Sequence, residues 1–108
     1  MQLMIDANHA YNLQESVALC SDLKEEKIAF FEEPISPELY EKFRELRQKT
    51  EIPIASGECE YLRFGFKTLL DAKSVDIIQP DVASCGGITE FKRYYQITKC
   101  DFYVSLMQ

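Results

Sequence analysis

No stretch of this chain approaches the ~20 consecutive apolar residues that a membrane-spanning helix needs. Basic clusters are missing too. With 12 basic against 18 acidic side chains and a net charge of −6, nothing offers phosphate a cationic face, so nucleic acid is excluded as a main partner. The start, Met1-Gln2-Leu3-Met4-Ile5-Asp6, has neither the basic residues nor the apolar core of a signal peptide. Cys20, Cys59, Cys85 and Cys100 are widely spaced and form no Cys-x-x-Cys pair. They read as reduced thiols of a cytoplasmic protein, not as a disulfide frame or a zinc site. Histidine occurs once, at His9. What remains is 108 residues, 46% of them hydrophobic, an ordinary composition for a single small soluble domain.

Five apolar runs organise the chain. Gln2-Leu3-Met4-Ile5 ends at Asp6-Ala7-Asn8; Ile28-Ala29-Phe30-Phe31 ends at Glu32-Glu33-Pro34; Ile52-Pro53-Ile54-Ala55 ends at Gly57-Glu58. Val75-Asp76-Ile77-Ile78-Gln79 ends at Pro80-Asp81, and Phe102 to Leu106 forms the fifth run. Short apolar runs closed by proline or acids read as buried strands, because proline donates no ladder hydrogen bond. Between them lie helical periods. Asn12 with Glu15 has capping-box spacing, and Leu13, Val17, Cys20 and Leu23 recur over 13–27. Ser36-Pro37-Glu38 reads as a helix start, with Leu39, Phe43 and Leu46 as its buried stripe. Residues 62–72 predict a helix with Phe66, Leu69 and Leu70 inward. Gly86-Gly87 opens another, with Ile88, Phe91, Tyr95 and either Ile97 or Thr98 inward. Strands alternating with helices predict an α/β fold of about five parallel strands joined by right-handed crossovers.

Each of the first four strands ends in an acid. Asp6, Glu32, Glu58 and Asp81 are separated by 26, 26 and 23 residues, about one βα unit each. That spacing returns them to one sheet edge, the C-terminal edge where parallel α/β proteins place their sites. Any single acid there is unremarkable as a loop or capping residue. Three on adjacent strands, about 4.8 Å apart, would repel one another unless a cation met them. An all-oxygen set without His or Cys favours magnesium, with manganese next. Glu32 is the expected ligand of its pair. Glu33 alternates to the other face and is expected to pair with a basic group. Asn8 shares the face of Asp6 and is a candidate substrate contact, or else a turn residue.

These motifs together (Asp6-Ala7-Asn8, Glu32-Glu33-Pro34, Gly57-Glu58, Pro80-Asp81 and Gly86-Gly87) resemble the enolase superfamily. The likeness is to its mandelate racemase / muconate lactonizing enzyme group, which includes the acid-sugar dehydratases. It implies a partial TIM-type (β/α)7β barrel, with residues 1–108 as an incomplete C-terminal-type segment that lacks the capping domain. It also implies that Asp6, Glu32 and Glu58 are magnesium ligands and that Asp81 is the aspartate of a catalytic His-Asp dyad. The implied chemistry removes the proton α to a carboxylate in a hydroxy- or sugar-acid through a metal-stabilised enediolate. Dehydration is expected ahead of racemisation, with cycloisomerisation third.

The match departs from the pattern where a barrel would need eight strands and a Lys-bearing strand. The dyad histidine would be due near the end of the fifth strand, which reads Ser105-Leu106-Met107-Gln108. The alternative is therefore a catalytically inactive segment that binds metal or associates with another copy through open sheet edges. His9 differs in strand parity from Asp6 and Asn8, which argues against a catalytic role. Cys59 has no base partner in view and reads as a packed residue. Tyr61 and Arg63 fall in the following loop. Gly86-Gly87 fits either a tight turn or a close backbone approach to a ligand.

Overall fold

The computed structural model describes residues 2–97. Four parallel strands lie in chain order, β1 (Leu3–Asp6), β2 (Ile28–Glu32), β3 (Ile54–Ser56) and β4 (Ile77–Ile78). Helices α1 (Leu13–Asp22), α2 (Tyr40–Arg47), α3 (Leu62–Asp71) and α4 (Gly87–Ile97) alternate with them. When each strand pairs with the next in sequence, right-handed crossovers drop every helix on the same face of the sheet. The core fills the space between that face and the helices: Phe31, Phe43, Leu46, Ile54, Phe66, Leu69 and Ile78 are all fully buried. The expected strand at Phe102–Leu106 lies outside the described residues.

Local chemistry explains the element ends. The α1 capping box forms as the spacing predicts: the Asn12 side chain accepts from the Glu15 amide, and the Glu15 carboxylate accepts from the Asn12 amide. The helix stops at Asp22, five residues before the expected end. Lys24, Glu25, Glu26 and Lys27 bring nothing apolar to bury, and the two glutamates would oppose the negative helix C-terminus. Ser36 does not cap α2. Its carbonyl accepts from the Leu39 amide in a turn, and its hydroxyl supports the Glu38 carboxylate and lowers its pKa. The helix therefore starts at Tyr40, which leaves Leu39 exposed and Phe43 and Leu46 as the buried stripe.

α4 is rotated from its expected face. Ile88 and Tyr95 are 66% and 62% exposed, whereas Tyr94 is buried and Phe91 half-buried. The register is set by Phe66 of α3, whose ring lies 4.4 Å from that of Tyr94, centre to centre. The side chain of Ile97, and Thr98, lie outside the described residues. The Gly86-Gly87 start is a tight turn: Gly86 has φ +105°, and a Cβ there would meet Leu62 Cδ2 at 2.7 Å. If Tyr94 fixes this packing, Tyr94→Ala should cost about 3 kcal/mol in urea unfolding. Ile88→Ala should stay within about 0.5 kcal/mol of wild type, and a reversed order would put the expected face inward after all.

Candidate metal centre

The strand register levels the acids. Asp6 pairs with Glu32 across β1 and β2, Glu32 with Ala55 across β2 and β3, and Ala55 with Ile77 across β3 and β4. Side chains at the same level of a parallel ladder share a face, so Asp6 and Glu32 project together. The ladder continues past the strand ends, with the Ala7 amide donating to the Glu32 carbonyl at 3.1 Å and the Glu33 amide to the Ala55 carbonyl at 2.9 Å. Glu32 is only 6% exposed. Burial raises its carboxyl above the ordinary glutamate range, and the charges of Asp6 and Glu33 raise it further. Glu58 follows Gly57 in the loop after β3. Its carboxyl is also raised, first by desolvation and then by Glu33, Glu32 and Asp6. The three expected ligands therefore occupy one electrostatic neighbourhood, and each added negative charge there is opposed by those already present.

Gly57 makes this approach feasible. Its φ of +134° suits glycine, and a Cβ would meet the Gln79 amide nitrogen at 3.1 Å and Ile78 Cγ2 at 3.2 Å. Three non-glycine residues at the same edge, Asn8, His9 and Glu33, hold positive φ values of 42°, 66° and 38°. Such backbone strain costs about 1–3 kcal/mol per residue and tends to gather at functional sites.

Glu33 does turn away from Glu32's face and does meet a basic group. It is 1% exposed; its Oε2 lies 2.5 Å from His9 Nε2, and its Oε1 accepts from the Ser56 hydroxyl at 3.3 Å. Cys59 Sγ completes a group with His9 and Glu33 in which the ligand atoms lie within 4.8 Å of one another. Although Cys59 is exposed as a residue, desolvation followed by repulsion from Glu33 and Glu58 pushes its thiol up to about 11. That suppresses the thiolate a nucleophile would need.

Asn8 is exposed, and its backbone amide donates to Asp6 Oδ1 at 2.9 Å, which fixes one oxygen of that carboxylate. Asp81 Oδ1 accepts from the Ala83 amide at 2.8 Å and its Oδ2 from the Ser84 hydroxyl at 3.0 Å, so it anchors its own turn. The same Ser84 hydroxyl donates to the Glu58 carbonyl at 3.4 Å, so this turn touches the loop that carries Glu58. Arg63 belongs to α3 and pairs with Glu90 at 3.6 Å, while Tyr61 is exposed.

Three further features join the site: two residues not singled out in the sequence, Tyr40 and Gln79, and the choice of His9 as the basic partner of Glu33. The Tyr40 hydroxyl donates to Glu60 Oε1 at 2.7 Å, and desolvation with that contact pushes Tyr40 up to about 12. The His9–Glu33 contact had a sequence signal in their 24-residue separation, close to one βα unit. The third is Gln79, which is 2% exposed with both side-chain amide atoms buried and unbonded. It lies near enough to Glu32 to offset part of that residue's raised pKa without reaching hydrogen-bond geometry. An unsatisfied buried polar group costs about 1–3 kcal/mol. Asp6 and Glu58 are exposed, and among the described residues the ligand atoms within 4.8 Å of one another are those of His9, Glu33 and Cys59, so Asp6, Glu32 and Glu58 are not preassembled around an ion. Their oxygen donors and the orphaned amide beside Glu32 have the chemistry that suits a hard divalent cation.

The expected resemblance holds over nearly the whole chain. Residues 1–100 match the enolase C-terminal domain-like family. The chain is 41% identical over 93 residues to a D-galactarolactone cycloisomerase of Agrobacterium fabrum, covering 86% of this chain and 25% of that protein. It superposes on the 3,6-anhydro-D-galactonate cycloisomerase of Zobellia galactanivorans with a TM-score of 0.90 and 49% identity, over 92% of this chain and 28% of that one. An L-talarate dehydratase of Polaromonas sp. JS666, solved with magnesium and L-glucarate, matches with a TM-score of 0.87 and 25% identity, over 92% and 28% of the two chains. The chain thus spans about a quarter of the length of the curated relatives it matches. Its four strands correspond to part of a TIM-type barrel wall. By its sequence match, its parallel register and its superposition, the chain belongs to the enolase C-terminal domain-like family, within the mandelate racemase / muconate lactonizing enzyme group of the enolase superfamily.

Proposed function

We propose that this chain supplies the divalent-cation ligands of a site that removes the proton α to a carboxylate in an acid sugar, as a step of dehydration or isomerisation. The observation that carries the reading is the shared neighbourhood of Asp6, Glu32 and Glu58, in which Glu32 is held buried beside other acids at a raised pKa. Asp6, Glu32 and Glu58 would hold Mg2+, with Mn2+ as a substitute of similar oxygen preference. When bound, the ion supplies positive charge that polarises a substrate carboxylate and lowers the cost of losing the α-proton. Relatives of both classes support an acid-sugar substrate, and the strength of the cycloisomerase matches moves that reaction up beside dehydration.

The chain's own residues prepare the site. The Asn8 amide fixes Asp6, and the exposed Asn8 side chain would meet a small carboxylate ligand. The His9–Glu33 contact ties the β1–α1 loop to the end of β2, beside the backbone bond from the His9 amide to the Glu33 carbonyl at 2.8 Å. Asp81 holds the turn before α4, on the strand edge where the proposed dyad would lie.

Calorimetric titration of Mg2+ tests the ligand set. Glu58→Gln should weaken binding by at least about tenfold, or roughly 1.4 kcal/mol, and equal affinities would sink the assignment.

A pH series tests the charge frustration. Glu32 and Glu58 titrate higher in the folded chain than the ordinary 4.5. Their stabilising contribution is therefore full below that value and is lost as pH rises through their folded pKa values. Glu38, Glu45 and Glu90 are lowered and act oppositely, losing stability as pH falls below the ordinary range. The metal-free Tm should therefore decline as pH rises from 4.5, and millimolar Mg2+ should flatten that decline. A metal-free profile that climbs through the same interval would contradict the frustration.

A further inference from the structure

Gln79 stands at the end of β4, where its backbone amide donates to the Ser56 carbonyl at 3.1 Å and fixes its place against β3. The register that sets Glu32, Ala55 and Ile77 at one level puts Gln79, two residues beyond Ile77, on the face of Glu32. Gly57, just past β3, lets the chain pass close to it: a Cβ there would meet the Gln79 amide nitrogen at 3.1 Å. Gln79 is 2% exposed, and neither its Nε2 nor its Oε1 has a hydrogen-bond partner. Among the described residues these are the buried side-chain polar atoms left unbonded, and they lie beside the acid that the ladder buries. A buried amide with both ends free, next to a buried carboxylate, holds a donor ready for that carboxylate and an acceptor ready for a group that arrives with a ligand.

We infer that Gln79 is a positioning residue of the cation site. Its Nε2 donates to the Glu32 oxygen that does not face the cation, and so fixes the rotation of that carboxylate. Its Oε1 accepts from a hydroxyl or water that enters with the cation and its acid ligand. The inference rests on the reading of Asp6, Glu32 and Glu58 as ligands. Outer partners of this kind orient the ligating group, and their loss weakens metal binding by roughly 10–100-fold.

The experiment is Mg2+ calorimetry on the 108-residue chain with wild type, Glu58→Gln and Gln79→Leu, alongside the Tm of each without metal. Leucine keeps similar bulk and removes both unbonded atoms. Gln79→Leu should therefore hold or raise the metal-free Tm while weakening Mg2+ binding by about tenfold. A residue of purely structural importance would lower Tm and leave the affinity of the folded chain unchanged, and that outcome overturns the inference. Should Gln79→Leu not fold, Gln79→Met takes its place under the same criteria. Wild-type binding weakened by Glu58→Gln but not by the Gln79 variant would overturn the role of Gln79 alone. Absence of Mg2+ binding to wild type, or an affinity indifferent to Glu58→Gln, would overturn the ligand reading and the inference with it.

Discussion

Negative charge gathered at the end of a parallel sheet is the constraint on which this structure turns. Hydrogen bonding in the ladder aligns Asp6 with Glu32, and the next strand brings Glu58 into the same field. Each backbone bond that stabilises the sheet thereby tightens the repulsion at its rim. The fold tolerates this because the cost is local while the apolar contribution is spread along the opposite face, where Phe31, Ile54 and Ile78 pack against the helices. Asp6 and Glu32 share one face of the ladder, whereas Glu33 turns to the other and is hydrogen-bonded by His9 and Ser56. Strand alternation thus separates an acid bonded to side chains of other elements from the pair Asp6 and Glu32 on the opposite face.

The same division orders the surrounding residues. Arg47 holds Asp76 at 2.9 Å from its Nε, and the other Asp76 oxygen accepts from the Ile54 amide at 2.9 Å, so this acid knits α2, β3 and β4 together away from the site. Asp81 has its oxygens engaged in its own turn. By contrast, Glu32 and Glu58 carry raised pKa values produced by burial and like charge. Asp76 and Asp81 have both carboxylate oxygens engaged, whereas Glu32 and Glu58 are opposed by like charge. Gln79 extends the contrast to an uncharged group, buried at the rim without the bonds its amide can make.

Much of this was legible in the sequence because a βα unit has a narrow range of lengths. A 26-residue interval from Asp6 to Glu32 and again to Glu58 survives errors of a few residues in any helix boundary. The Asn12–Glu15 box was legible for a similar reason, since both halves of its hydrogen bonding are local. Features decided by tertiary contact were not. Tyr94 and Tyr95 are chemically alike and adjacent, so α4 could be aligned only by Phe66, which is distant in sequence. Ser36-Pro37-Glu38 has the composition of a helix start, yet the serine hydroxyl is taken by Glu38 and the chain turns first. Gln79 looked like the polar end of an apolar strand. Only the three-dimensional register shows that it shares a face with Glu32 and is buried without partners.

A hard divalent cation held by Asp6, Glu32 and Glu58 together would resolve the repulsion among them. Manganese shares magnesium's preference for oxygen ligands and can be located by its anomalous scattering. Crystals of the chain soaked in Mn2+ should show a single strong anomalous peak within about 2.0–2.3 Å of a carboxylate oxygen from each of the three residues. A peak at His9, Glu33 and Cys59 instead, or none at the strand ends, would contradict the account.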